Sequence, residues 1–189
     1  MKTTATLSLS LAAAFALILG IIGVGIGYAM TPEYRLSMYE KNTMDLGRPD
    51  RTLDLRYVNA MIAHHRGAML LAEQAKKSER TEVKNLAEAI LKDEPKAIAE
   101  LYAWKKEWYK DTRTVIDPVT PKLGDYDKTF DLRFLNALIS HHEVGVVMTA
   151  DVRLKSSRGA VLDNADAVEA FLKGGITMLS GWRSTWYNL

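Results

Sequence analysis

The sequence predicts an all-α protein: a four-helix bundle made of two copies of one helical hairpin, behind an N-terminal transmembrane helix. Three observations predict it. All four histidines of the 189-residue chain fall in two matched pairs on apolar stretches. The flanking sequence repeats with them. Residues 3–32 carry no charge at all.

The N-terminal element is LAAAFALILGIIGVGIGYAM, Leu11 to Met30. A run of roughly 20 apolar residues makes a helix about 30 Å long, enough to span a bilayer core. A cleaved secretory signal would have a shorter apolar stretch, ending in small residues such as Gly27 and Ala29; the length favours an uncleaved anchor at residues 1–32. Gly23 and Gly27 stand in GxxxG spacing, which lets a partner transmembrane helix approach closely. Residues 33–51 then read as a juxtamembrane linker. Lys2 lies on one side of the span, with Arg35, Lys41, Arg48 and Arg51 on the other. The positive-inside rule would place the latter in the cytoplasm, but it weakens ahead of a large folded domain.

The two units follow. TLDLRYVNAMIAHH, Thr52 to His65, pairs with TFDLRFLNALISHH, Thr129 to His142. WKKEWY, Trp104 to Tyr109, pairs with WRSTWY, Trp182 to Tyr187. The bundle is thus residues 52–189, with repeat 1 at 52–109, a crossover at 110–128 and repeat 2 at 129–187. In the first helix Leu55, Val58, Ile62, His65, Met69 and Ala72 recur at helical spacing. Thr52 and Thr129 are expected N-caps, with Asp54 and Asp131 in the first turn near the positive end of the helix dipole. The second helix should bury Leu86, Ile90, Ile98, Leu101, Trp104 and Trp108, and the fourth Val168, Phe171, Ile176, Leu179, Trp182 and Trp186. Pro95 should kink or restart the second helix; Gly174 and Gly175 weaken the fourth at nearly the same height. Pro118, Pro121 and Gly124 keep the crossover irregular, and a long crossover between hairpins is the connection of ferritin-like bundles.

Composition narrows the function. There is no cysteine, so thiolate ligands, disulfides and Cys nucleophiles are excluded. With 25 basic and 23 acidic residues no nucleic-acid footprint is visible. No glutamate stands three residues before a histidine, as a di-iron bundle needs, and HHEVG is not HExxH. Neither a phosphate loop nor a nucleophile elbow occurs, so no enzyme is expected. His64, His65, His141 and His142 remain. Adjacent helical residues point about 100° apart, so one of each pair faces inward. His65 shares a face with Met61 and Met69, and His141 with Met148. Imidazole with thioether is a donor set that favours copper. The competing readings are hydrogen-bonded core histidines with methionine as filler, and a pH-responsive element.

The pattern D-x-x-[FY]-x-x-x-M-I-x-H-H, followed by a helix with a tryptophan stripe, resembles the family catalogued as domain of unknown function 305. The resemblance implies a small ferritin-like bundle, often exported from bacterial cells, with CopM-like members that bind copper through His and Met. Carried over, it implies His64, His65, His141 and His142 as ligands, Asp54 and Asp131 at the family's acidic position, and Met148 at its methionine; Leu71 takes that place in repeat 1. The second-helix Gln, Glu and Met of the family are replaced by Glu94, Ala97 and Leu101, and by Leu172, Gly175 and Leu179. The expectation is a membrane-anchored, extracytoplasmic bundle that holds copper or a similar metal. The alternative is a non-catalytic accessory subunit of a larger membrane complex, with a degenerate site.

Overall fold

The computed structural model describes residues 45–189. The anchor, most of the linker, and Gly23 and Gly27 lie outside the described residues; among those described, no helix is long and apolar enough to cross a membrane. The chain divides into two units, Met1–Glu33 and Tyr34–Leu189, and only the second is described below.

Its described residues hold four helices: α1 (Leu53–Ala75), α2 (Thr81–Tyr109), α3 (Phe130–Lys155) and α4 (Gly159–Tyr187). Hairpins α1–α2 and α3–α4 are joined through α1 packed on α3. α1 and α3 are buried around most of their circumference, whereas α2 and α4 each bury one narrow stripe. Small residues make this possible. Ala60, Ala63, Gly67 and Ala68 on α1 and Ala137 on α3 are buried small residues, and Gly145 on α3 lets His64 of α1 approach its backbone closely. On α1 a buried line through Tyr57, Met61, His64, Ala68, Leu71 and Ala75 runs beside the expected stripe, which is buried at Val58, Ile62 and Ala72 and half-buried at Leu55, His65 and Met69.

The core forms two apolar clusters. One joins the N-terminal half of α1 to Leu101, Met148, Val152, Val161 and Ala165. The other joins the C-terminal half of α1 to Val83, Ala87, Phe130, Phe134, Leu138 and Leu179. Along both α1 and α3 the histidine pair falls between the clusters, so the imidazoles form a polar waist in an otherwise apolar interior. Each fully buried large side chain contributes roughly 1.5–3 kcal/mol. Complementary pairs distinguish the ends. Tyr57 donates its hydroxyl to Asn164 Oδ1 at 2.7 Å, while at the equivalent place Phe134 and Leu86 both join the second apolar cluster.

The structural repeat begins before Thr52. Leu46 and Leu123 are buried equivalents, followed by Gly47 (φ 77°) and Gly124 (φ 76°), where a side chain would be strained. Arg56 then closes the loop. Its Nε donates to Leu46 O (2.5 Å) and its Nη1 to Asp50 (2.9 Å) and Thr52 Oγ1 (2.5 Å). Arg133 does the same to Leu123 O (2.7 Å), Asp127 (3.0 Å) and Thr129 Oγ1 (2.7 Å). The threonine hydroxyls are thereby committed to Asp50 and Asp127, and neither caps its helix as expected. Those bonds, the threonine's first, hold both aspartates at about 2.

Asp54 and Asp131 tie the repeats together. Asp54 accepts from Ser156 (2.6 Å) and Arg158 (2.9 Å), and Arg158 lies 4.2 Å from the Trp108 ring centre. Asp131 pairs with Arg80 at 3.3 Å, and Arg80 lies 4.3 Å from Trp186. Each arginine precedes the outer helix of its hairpin and grips the inner helix of the other. Trp104 stacks on Trp108 and Trp182 on Trp186.

Three expectations change. α2 continues through Pro95 without restarting. Phe171 is 66% exposed, because Leu172 takes the inward position on α4. Gly175 is not a weak point but a clearance: a Cβ there would come within 2.6 Å of the His142 ring, whereas nothing lies within 4 Å at Gly174. Gly175→Ala should destabilise the fold by about 1–3 kcal/mol, as overpacking does, while Gly174→Ala should stabilise it by about 1 kcal/mol through helix propensity. Denaturant unfolding of the two variants checks the contrast.

Candidate metal centre

The waist is built from α1 and α3 and walled by α2 and α4. The His64 and His141 rings stack, 3.9 Å between centres and 23° between planes. His64 Nε2 donates to the His141 carbonyl at 3.1 Å. A carbonyl can only accept, so this bond puts the proton on Nε2 and leaves the His64 lone pair on Nδ1. The approach depends on Gly145, the helical partner of that carbonyl, where a Cβ would lie 2.5 Å from His64 Nε2. His65 and His142 sit one on either side, their rings 6.1 and 6.0 Å from those of their neighbours. His65 Nδ1 hydrogen-bonds to Glu94 Oε2 on α2. His142 packs against the Phe171 ring at 6.3 Å.

All four histidines line one cleft of about 400 Å³, together with Glu94, Asp93, Leu172 and Phe171. The three methionines do not line it. Met61 and Met148 are buried in the first apolar cluster and Met69 packs on the second. The sequence therefore singled out the imidazoles that converge, while the thioethers that share helix faces with them lie outside the cleft. Glu94 was seen only as a departure from the family pattern; its contact with His65 spans 29 positions of sequence, and only the hairpin's register reveals it. Asp54 and Asp131 lie away from the cleft, in the ties between repeats.

Burial controls the chemistry of the rings. It pushes His64 down to about 3, helped by His65 and His142 and opposed by the bond to the His141 carbonyl. It pushes His142 down to about 4. His141 falls well below its ordinary 6.5, by burial first and then by the neighbouring imidazoles. These rings are neutral at neutral pH, and neutral imidazole is the ligating form. Several nitrogens are also unsatisfied. Among the described residues His65 Nε2, His141 Nδ1 and Nε2, and His142 Nδ1 are buried with no hydrogen-bond partner. An unpaired buried polar group costs about 1–3 kcal/mol, and an ion is one partner that would satisfy it. The donor set therefore fits a transition metal that accepts imidazole. The arrangement is not a closed coordination shell: no group of three or more His, Cys, Asp or Glu is placed to hold an ion among the described residues. Ring lone pairs lie in the ring plane, so the stacked pair could not both ligate one ion without a ring turning.

Residues 54–125 match the family model of a domain of unknown function, DUF305. A comparison with curated proteins gave no match. Among solved structures, CopM in its Cu(I)-bound form is 28% identical with a TM-score of 0.63, covering 71% of this chain and 97% of that one. CopM in the Cu(II)-bound form is 26% identical, with a TM-score of 0.61 and the same coverage. The apo form is 27% identical at 0.62, covering 71% and 98%.

This chain is similar to the DUF305 family and to CopM. The DUF305 match ends within the crossover, so the second histidine pair lies beyond it.

His141→Leu removes two unsatisfied nitrogens at a site already fully buried. It should stabilise the metal-free protein by about 1–3 kcal/mol; a clear loss in urea unfolding would show that the ring has partners. The depressed values also set an acid dependence. The unfolded chain binds protons on these histidines near 6.5 and the folded chain does not, so stability is full above about 6.5 and falls as pH drops toward about 4. Urea midpoints measured across that range should decline in wild type and flatten in a variant lacking His64, His141 and His142. Loss from Asp50 and Asp127 begins lower, between 3.8 and about 2.

Proposed function

We propose that this protein binds copper, or a similar soft transition metal, without catalysing a reaction, and that it serves in sequestration or handling of the ion. The observation that carries the reading is the convergence of four imidazoles on one cleft, with buried nitrogens that the fold leaves unsatisfied. Similarity to CopM, solved in Cu(I)-, Cu(II)- and Ag-bound forms, supports the choice of metal. His64, His141 and His142 supply neutral nitrogen donors and the apolar clusters above and below exclude water; the cleft between α2 and α4 is the entry. We further propose that residues 1–32 anchor the chain in a bilayer with the bundle on the extracytoplasmic side, on the strength of the uncharged run that ends before Glu33.

A second reading is an accessory subunit of a membrane complex, held through Gly23 and Gly27. It is favoured by the methionines lying outside the cleft and by Leu172 in the place that Glu94 takes in repeat 1. Titration of the full chain in detergent with Cu(I), under competition from a chromogenic chelator, separates the two. Wild type should retain the ion, and a variant with His64, His65, His141 and His142 changed to alanine should lose it by at least about 100-fold, or about 2.7 kcal/mol. Equal, weak binding by both would favour the accessory role, with co-purification of a stable membrane assembly as its positive sign.

A further inference from the structure

The two histidine pairs derive from one duplicated unit, yet their surroundings differ. In repeat 1 the outer imidazole, His65, meets a carboxylate on the partner helix. In repeat 2 the position of Glu94 is Leu172 and that of Ala97 is Gly175, and the outer imidazole, His142, meets Phe171 and the bare backbone at Gly175. A carboxylate can only accept, so the bond to Glu94 places a proton on Nδ1, and in the singly protonated ring the lone pair is on Nε2. That nitrogen is buried and has no partner among the described residues. The side chains of the pair are only 12% and 15% exposed, so water competes little for their bond. Nothing comparable fixes the His142 tautomer, whose Nδ1 is itself unpartnered.

We propose that Glu94 is the positioning residue of the site. It selects the tautomer of His65 and presents Nε2 as a donor, so that the pseudo-symmetric waist is functionally unequal: the His65 side holds an ion more tightly than the His142 side. The inference rests on the metal reading above. A carboxylate behind a ligating imidazole fixes the ring and raises its basicity, and its loss typically costs about 10–100-fold in metal affinity. Glu94 touches the ring rather than the ion, and acts through it.

The test uses the full chain and Glu94→Leu, which gives repeat 1 the residue that repeat 2 carries. Imidazole-nitrogen NMR of the metal-free protein should show His65 as the Nδ1–H tautomer in wild type and a mixture, or the other tautomer, in Glu94→Leu. An unchanged tautomer would overturn the positioning role whatever the metal does. With Cu(I) under chelator competition, Glu94→Leu should weaken binding about 10–100-fold. The same change in a His65→Ala background should have no further effect, and His142→Ala should cost less than His65→Ala. Equal loss from Glu94→Leu in both backgrounds would mean a general packing effect and would overturn the proposal, as would equal losses from the two histidines. If the four-alanine variant binds as wild type does, the metal reading itself fails; the tautomer measurement still decides what Glu94 does to His65.

Discussion

The close contact of α1 with α3 is the constraint on which the rest of this structure depends. Gly145 carries no side chain, and that lets His64 reach the backbone carbonyl of His141 and lie flat against its ring. Everything else at the waist is arranged around that contact. α2 supplies Glu94 on one side. α4 supplies Leu172 and the clearance at Gly175 on the other. Two apolar clusters above and below supply the hydrophobic stabilisation that such a polar layer cannot.

The layer works against the fold that holds it. Buried imidazoles that neither ionise nor find hydrogen-bond partners lower stability, and leucine in their place would serve the core better. Reinforcement is found at the ends instead. The matched arginine loops of Arg56 and Arg133 fasten the segment before each inner helix, and the crossed ties of Arg158 to Asp54 and Arg80 to Asp131 hold each hairpin onto the other. A costly interior held in place by polar clamps at both ends is what a preorganised site requires.

Much of this was legible in the sequence, for physical reasons that can be named. Helical periodicity and the matched blocks around the histidines specify two hairpins, because two copies of one amphipathic unit can bury their apolar faces against each other. The imidazole pairs could be singled out because histidine occurs nowhere else in the chain. What escaped depended on tertiary register. α1 has no single buried face, so the periodic stripe does not say which of the two adjacent imidazoles is the deeper, and that one is His64. Phe171 falls on the periodic stripe with Val168 and Leu179, yet it is exposed while its neighbour Leu172 is buried. Thr52 and Thr129 stand where N-caps belong, but Asp50 and Asp127 engage their hydroxyls. Glycine at 175 carries no signal of its purpose until the His142 ring is placed beside it. The repeat's true beginning at Leu46 was masked because the loop there is conserved between copies only as Leu-Gly, a later aspartate and a threonine.

The most direct measurement is an anomalous-scattering crystal structure of the protein soaked with Ag(I), a closed-shell stand-in for Cu(I). The account predicts one strong peak at the waist, between α1 and α3, within bonding distance of at least two of the four imidazoles and with His65 among them. Peaks confined to outer methionines, or an undisturbed His64–His141 stack with no ion beside it, would contradict it.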